Sequence, residues 1–192
     1  MAYIADTAFE QRVSNHEFDS MANITGKFVD GNADPDECSA GFLCTKADLV
    51  ACEGYSGIYN ENTWTMVAAT SSATENDAIY ACNTGDVAYA TNAGAGTAYK
   101  VGINTLGLSI PAGDLGTFTR IDFVGQGIYR IGVGNVDGSV GANEFFTIDD
   151  GLFSPAASAP ASGPYFSLLG TGTFTEGVYA GATYYDVQAH IA

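Results

Sequence analysis

The sequence predicts a mainly β protein, an antiparallel β-barrel or β-sandwich preceded by an N-terminal arm or short helix. Apolar residues make up 46% and aromatic residues 12% of its 192 residues, enough to bury a core. Its 24 glycines suit many tight turns. From Lys27 onward, short apolar runs alternate with clusters of Gly, Asn, Asp and Pro, and no segment carries a sustained helical stripe.

The chain divides into an arm at residues 1–25 and a single β-rich domain at 26–192. In the arm, Thr7 and Glu10 have the spacing of a capping box and predict a helix over residues 8–14. An arm that docks on a neighbouring subunit is the alternative. The strands predicted in the domain are 27–29, 41–45, 49–52, 63–69, 78–82, 98–104, 117–124, 128–133, 143–148, 165–175 and 178–187.

One hairpin can be predicted in register. Segments 117–124 and 128–133 flank a three-residue loop, Gly125-Gln126-Gly127, which suits a tight turn. If Val124 pairs with Ile128, Asp122 lies opposite Arg130, so the sequence predicts an ion pair on one face and an apolar face on the other. The apolar pairs are Phe123 with Tyr129 and Ile121 with Ile131.

The segment 154–164 is rich in proline and resembles a linker. Its three prolines stiffen the chain and cannot donate to a β ladder. We expect a surface loop, or an extended segment that lies on a neighbouring molecule.

The net charge of −16, with six basic residues spread singly, excludes two classes of partner. Nucleic-acid binding needs clustered Lys and Arg, and an anionic membrane surface would repel this chain. No stretch approaches the roughly 18 apolar residues that span a bilayer. The N-terminus lacks the basic and apolar regions of a signal peptide, so we expect synthesis in the cytoplasm and neutral or basic partners.

The four cysteines are predicted to be buried free thiols. Cys38, Cys44, Cys52 and Cys82 form no C-x-x-C pair and have no nearby His to complete a zinc set. An even count would also fit disulfides, but a reducing cytoplasm opposes them.

No catalytic residue and no cofactor are predicted. A nucleophilic Ser or Cys needs a His, and both His16 and His190 lie near the chain ends, where we expect solvated side chains. The G-x-S-x-G motif is absent. A pair of turn carboxylates acting on a sugar is the enzyme alternative.

One acidic segment resembles a calcium loop. The pattern breaks at its sixth position, where Pro35 replaces Gly, and at its twelfth, where Gly41 replaces the bidentate Glu. A weak, irregular calcium site stays open. Its candidate ligands are Asp30, Asn32, Asp34 and Asp36.

Trp64 alternates with Met66 in a predicted strand, the pattern of a core position. The alternative is an exposed Trp that stacks on sugars.

Six blocks of sequence, spread over about residues 25–190, have a shared texture rather than a catalytic signature. The blocks are Gly26-Lys27-Phe28-Val29, Cys38-Ser39-Ala40-Gly41-Phe42-Leu43-Cys44, Ile58-Tyr59-Asn60-Glu61-Asn62-Thr63-Trp64, Ile79-Tyr80-Ala81-Cys82-Asn83-Thr84, Tyr99-Lys100-Val101-Gly102-Ile103-Asn104-Thr105-Leu106-Gly107-Leu108 and Gly177-Val178-Tyr179-Ala180-Gly181-Ala182-Thr183-Tyr184-Tyr185-Asp186-Val187. Together they resemble head decoration, or capsid-associated, proteins of tailed bacteriophages that infect gut Firmicutes.

The resemblance implies a non-enzymatic virion protein that binds the outer surface of the head and stabilises the lattice of the major capsid protein. It further implies self-association around a symmetry axis, for example as a trimer. Repeated weak contacts of an arm would suit such a lattice. A tail or fibre component that binds glycans, and a small carboxylate-dependent hydrolase, are the alternatives. The candidate partner-binding residues in the arm are Tyr3, Ile4, Phe9 and Phe18.

Overall fold

The computed structural model describes residues 9–13, 23–29, 37–53, 60–74, 77–82, 89–91, 98–100, 109–113, 115–175 and 180–192. These residues form fifteen β-strands and one turn of 3-10 helix at Val133–Asn135. The strands are β1 (Phe9–Val13), β2 (Asn23–Phe28), β3 (Glu37–Ser39), β4 (Leu43–Glu53), β5 (Asn60–Ala68), β6 (Ile79–Cys82), β7 (Tyr89–Thr91), β8 (Ala98–Lys100), β9 (Ser109–Pro111), β10 (Leu115–Arg120), β11 (Ile128–Gly132), β12 (Phe145–Asp149), β13 (Leu152–Ala156), β14 (Pro164–Thr173) and β15 (Thr183–Ile191).

The strands form a closed barrel and an open sheet, which confirms the mainly β prediction. The barrel has the strand order β10-β2-β5-β4-β6, and the six-stranded sheet has the order β1-β11-β15-β14-β12-β13. The pairing of β2 with β5 is parallel, and the other pairings of the barrel and the sheet are antiparallel. Two further antiparallel pairs are β3 with β9 and β7 with β8.

Alternation along the barrel strands creates two cores. Successive side chains of a strand point to opposite faces. In β4 and β6, Cys44 and Cys82 therefore point into the barrel, and Leu43 and Ala81 point out of it toward the sheet. The barrel's outer wall and the inner face of the sheet share one core, while the barrel interior holds the other.

Aromatic side chains fill the core between the barrel and the sheet. The ring of Phe166 in β14 lies 4.8 Å from that of Phe153 and 5.3 Å from that of Phe123, measured between centroids. All three are buried. Burying a large apolar side chain stabilises a fold by about 1.5–3 kcal/mol, so this layer holds the sheet on the barrel.

The turn between β12 and β13 joins the two layers. Asp150 and Gly151 have φ of 44° and 78°, the left-handed pair that a two-residue hairpin turn requires. The Gly151 N–H donates to the Ala69 carbonyl, and the Leu43 N–H donates to the Gly151 carbonyl, both at 2.8 Å. The Phe42 ring covers Gly151 so closely that a Cβ there would collide with it. Glycine is therefore required on both counts.

The predicted N-terminal helix is wrong where the structure describes it. Residues 9–13 form β1, which pairs with β11 in the six-stranded sheet. Tertiary pairing overrides the capping-box signal here. β2 begins at Asn23, within the predicted arm. The limits of the single domain at 26–192 stay a prediction.

The predicted hairpin of 117–124 with 128–133 is also wrong. β10 ends at Arg120 and pairs with β2 and β6 in the barrel, whereas β11 pairs with β1 and β15 in the sheet. Asp122 does not face Arg130 across a ladder. Its carboxylate lies in the crossing between the layers and accepts from the Gly125 N–H at 2.7 Å. The loop glycines lie where the chain crosses from the barrel to the six-stranded sheet. The local sequence of such a crossing looks the same as that of a hairpin turn.

The proline-rich segment is shorter as a loop than predicted. β13 includes Pro155, which is paired with Phe146, and β14 begins at Pro164. β13 is an edge strand and Pro164 is the first residue of its strand, the two places where a sheet tolerates proline. The loop itself covers residues 157–163.

Candidate functional site

Most residues predicted for ligand or partner binding lie outside the described part of the chain. The exception is Phe9, in β1. Its ring is half-buried against the core and stacks on Tyr129, with centroids 5.6 Å apart and planes 17° apart. This contact holds the Phe9 ring against the chain's own core, and a role of Phe9 in partner binding stays a prediction. The others are Tyr3, Ile4 and Phe18, and the calcium candidates Asp30, Asn32, Asp34 and Asp36.

The two edges of the six-stranded sheet differ. β13 forms one edge and carries Pro155, which has no N–H to offer. β1 forms the other edge and contains no proline. No described strand pairs with the outer side of β1, so the β1 edge presents backbone donors and acceptors of the kind that another chain can pair with.

The sheet also has an outer face, defined by the side chains that point away from the barrel. In β15, Val187 and Ala189 are buried in the core, so the alternating residues Asp186, Gln188 and His190 point outward. The register places Tyr165 opposite His190 in β14. These outward side chains are half-buried.

Four residues of the outer face form what we call the aromatic platform: Phe145, Tyr165, Ser167 and His190. The ring of Tyr165 stacks on that of His190 with centroids 5.1 Å apart and planes 21° apart. The Phe145 ring lies 6.2 Å from the Tyr165 ring at a tilt of 54°. Ser167 Oγ and His190 Nε2 are 2.8 Å apart, a hydrogen bond that orients the imidazole. The platform thus combines flat apolar rings with polar groups.

His190 differs from the solvated terminal residue that the sequence predicts. It lies within β15, and partial burial lowers its pKa below the ordinary value for histidine. A neutral imidazole bonded to a Ser hydroxyl is the pairing that activates a nucleophile. An oxyanion also needs N–H donors, and the Leu168 N–H donates to the Glu144 carbonyl at 2.8 Å. Within the platform, this hydrogen bond holds the Ser167 hydroxyl and the His190 imidazole in a fixed relative orientation.

A charged row, formed by Arg130 in β11 and Asp186 in β15, lies on the same outer face as the platform. Arg130 Nε and Nη2 donate to the two carboxylate oxygens of Asp186 at 2.8 and 2.9 Å. Asp186 thus pairs with Arg130 across the ladder of β11 and β15, and the predicted ladder pairing of Arg130 with Asp122 is wrong. The guanidinium also lies 3.7 Å from the centroid of the Tyr184 ring. Tyr184 packs over Gly172 as well, where a Cβ would collide with the ring. Both Arg130 and Tyr184 are thus engaged within the fold.

Trp64 belongs to the barrel, and its half-buried side chain packs against the interior core. The Nζ atom of Lys46 lies 5.0 Å from the ring centroid of Trp64 and 5.0 Å from that of Tyr80. The core alternative for Trp64 therefore describes it better than an exposed sugar-stacking residue.

Three of the four cysteines are buried free thiols, as predicted. Cys38, Cys44 and Cys82 meet in the barrel interior. Burial raises the pKa of the Cys38 thiol well above its usual value, and hydrogen bonds with the other two thiols raise it further. Burial raises the pKa of Cys44 as well. Nothing is described of the Cys52 side chain. Among the described residues, no group of three His, Cys, Asp or Glu is placed to hold a metal ion.

Sequence reasoning missed the aromatic platform, although a signal for it exists. Tyr165 and Ser167 alternate in β14, and four polar or aromatic residues alternate in β15: Tyr184, Asp186, Gln188 and His190. This period of two marks one face of a strand. Strands were predicted at 165–175 and 178–187, but the second prediction ends before His190, and the cross-strand register was not predicted.

The described part of the chain contains no helix long and apolar enough to cross a membrane. Comparisons with protein-family models, with curated proteins and with solved structures found no match to this chain.

Proposed function

We propose that this protein is a bacteriophage capsid decoration protein, which binds the outer surface of the head and stabilises the lattice of the major capsid protein. The observation that carries this proposal is the β1 edge. Pro155 blunts one edge of the sheet, whereas no strand of the described residues covers the outer side of β1, so this edge offers pairing to a strand from a neighbouring subunit.

The charge of the chain supports a position outside the shell. The net charge of −16 makes contact with packaged DNA unfavourable. Among the described basic residues, Arg130 is engaged with Asp186, and Lys46 lies beside Trp64 and Tyr80. Neutral or basic surfaces of a capsid subunit are the partners that this charge favours.

Co-sedimentation with undecorated capsids of a tailed phage tests the proposal. We expect saturable binding of the full chain to assembled capsids, weaker at high salt because screening reduces the contribution of charge. Failure to co-sediment at micromolar concentration would overturn the decoration function. Binding to host cell-wall material instead would favour a tail or fibre component, and hydrolysis lost on substitution of one loop carboxylate would favour the enzyme alternative.

Two matched variants test the role of the β1 edge. Glu10→Pro and Gln11→Pro remove the N–H groups of successive residues, which point to opposite sides of an antiparallel strand. We expect the variant whose removed N–H pointed toward β11 to lose a ladder bond and to unfold at a lower temperature. We expect the variant whose removed N–H pointed away from β11 to keep the thermal stability of the parent and to lose capsid binding. Parental capsid binding by the stable variant would exclude β1 as the docking edge.

The proposal includes a symmetric oligomer, such as a trimer, on the capsid. Sedimentation equilibrium of the purified chain measures its mass directly. A mass of three chains would support a symmetric cap, and a clean monomer at capsid-bound concentrations would remove it from the proposal.

A further inference from the structure

We propose that the aromatic platform binds a neutral saccharide. This site is separate from the β1 edge, so it does not depend on the decoration function. Phe145, Tyr165 and His190 present ring surface at half-buried positions on the outer face, and Ser167 lies among them. Apolar ring faces beside a few oriented polar groups are the composition of a small-ligand site.

The chemistry of a sugar matches both parts of the platform. One side of a pyranose ring exposes C–H groups that pack against an aromatic face, and its rim carries hydroxyl groups that donate and accept hydrogen bonds. The Ser167 hydroxyl and the His190 imidazole are held 2.8 Å apart, so both are already oriented before a ligand arrives. Such preorganisation lowers the entropic cost of binding.

The size of the platform suits one or two sugar units. It extends across β12, β14 and β15, and three adjacent strands span about 10 Å. A purely apolar protein partner would need a larger continuous apolar surface, but this outer face also carries the charged pair of Arg130 and Asp186. A peptide that adds as a strand would use a sheet edge rather than this face.

The charge of the surroundings favours a neutral ligand over an acidic one. Arg130, a cation on the same outer face, already forms a bidentate pair with Asp186. The chain as a whole carries −16. An acidic sugar would therefore meet a repulsive field.

Tyr184 provides a matched control on the same face. Its ring packs against Gly172 and under the Arg130 guanidinium, outside the platform, whereas the Tyr165 ring stacks on His190 within the platform. Tyr165→Ala and Tyr184→Ala remove the same atoms from neighbouring strands, but we expect the first alone to remove a stacking surface for sugar.

An array of neutral oligosaccharides of hexoses and N-acetylhexosamines, with acidic uronic-acid oligosaccharides alongside, tests the proposal on the full chain. The best neutral binder is then titrated by calorimetry. We expect Tyr165→Ala and His190→Ala to weaken its binding at least tenfold, Tyr165→Phe to retain it, and Tyr184→Ala to stay within twofold of the parent. Thermal melting confirms that each variant is folded.

Three results would overturn the proposal: no binding of any neutral saccharide, stronger binding of the acidic ones, or equal losses for Tyr165→Ala and Tyr184→Ala. Loss of capsid co-sedimentation in Tyr165→Ala would assign the platform to a protein partner instead. Because the Pro variants of β1 are read by capsid binding, the two proposals can fail independently.

Discussion

The barrel and the six-stranded sheet use their aromatic side chains in opposite ways. Phe28 and Phe118 are 1% and 0% exposed inside the barrel, whose strands close on themselves and leave no edge. The sheet covers the barrel with its inner face but leaves Tyr165 and His190 half-buried on the outer one, and no described strand pairs with the outer side of its edge strand β1. We therefore infer that the barrel supports the sheet, and that the sheet carries both candidate binding surfaces, the β1 edge and the aromatic platform.

The largest effect is expected where the two layers meet. Phe166→Ala removes a fully buried ring that contacts Phe153 and Phe123, and we expect it to cost about 3–5 kcal/mol of unfolding free energy. Phe145→Ala, on the outer face of the same sheet, is the matched control and should cost less than half as much. Urea unfolding of both variants measures the difference. Equal losses would mean that the outer face is as tightly packed as the inner one.

A single hydroxyl tests the crossing between the layers. The Tyr129 hydroxyl accepts from the buried Asp122 N–H at 2.7 Å, so Tyr129→Phe leaves that donor without this acceptor. We expect a loss of about 1–3 kcal/mol in chemical unfolding. Tyr165→Phe removes the same atom from the platform and should change stability by less than about 0.5 kcal/mol. A larger loss for Tyr165→Phe would reverse the comparison.

The decline in stability at alkaline pH tests how completely the barrel buries the thiols of Cys38 and Cys44. Burial raises the pKa values of Cys38 and Cys44, so the folded chain keeps protons that the unfolded chain releases. Their contribution to stability is complete below the unfolded thiol pKa of about 8.5 and is lost as the pH rises above it, at up to about 1.4 kcal/mol per pH unit for each thiol. We expect the double variant Cys38→Ala, Cys44→Ala to show a shallower decline between pH 8.5 and 10.5 in urea unfolding. An unchanged slope would show that other groups cause the decline.

The smallest effect is expected at the charged row. Asp186→Asn weakens the bidentate pair with Arg130. The Arg130 side chain is 18% exposed and the Asp186 side chain is 28% exposed. Because the pair is partly solvated, we expect a loss of about 1 kcal/mol that shrinks at high salt. Thermal unfolding at two ionic strengths measures it. A loss above about 3 kcal/mol, insensitive to salt, would indicate a pair buried as deeply as the core.

Local patterns predicted the strands better than their partners. Short alternating runs and turn residues indicated most strands of the barrel and sheet, because period and turn chemistry are local. The partner of Arg130 could not be found this way, since Asp186 lies 56 residues away and is brought opposite by the pairing of β11 with β15. Similarly, β1 is a strand because β11 offers it an edge, a condition that residues 9–13 do not encode by themselves.

The same reasoning explains which parts of the sites were predictable. Buried thiols followed from composition and compartment, whereas the platform depends on Tyr165 standing opposite His190. Cross-strand register in β14 and β15 is set by a bulge between Leu168 and Gly170, and a one-residue slip would move every side chain to the other face. The pattern of residues in a single sequence does not reveal which of the two registers the strands adopt.

Hydrogen–deuterium exchange of the full chain, with and without undecorated capsids, tests most directly the claim that the sheet binds and the barrel supports. We expect capsids to slow exchange in Phe9–Val13, while exchange in the barrel strands β4 and β6 stays unchanged. Protection confined to the barrel, with β1 exchanging as in the free protein, would contradict the account.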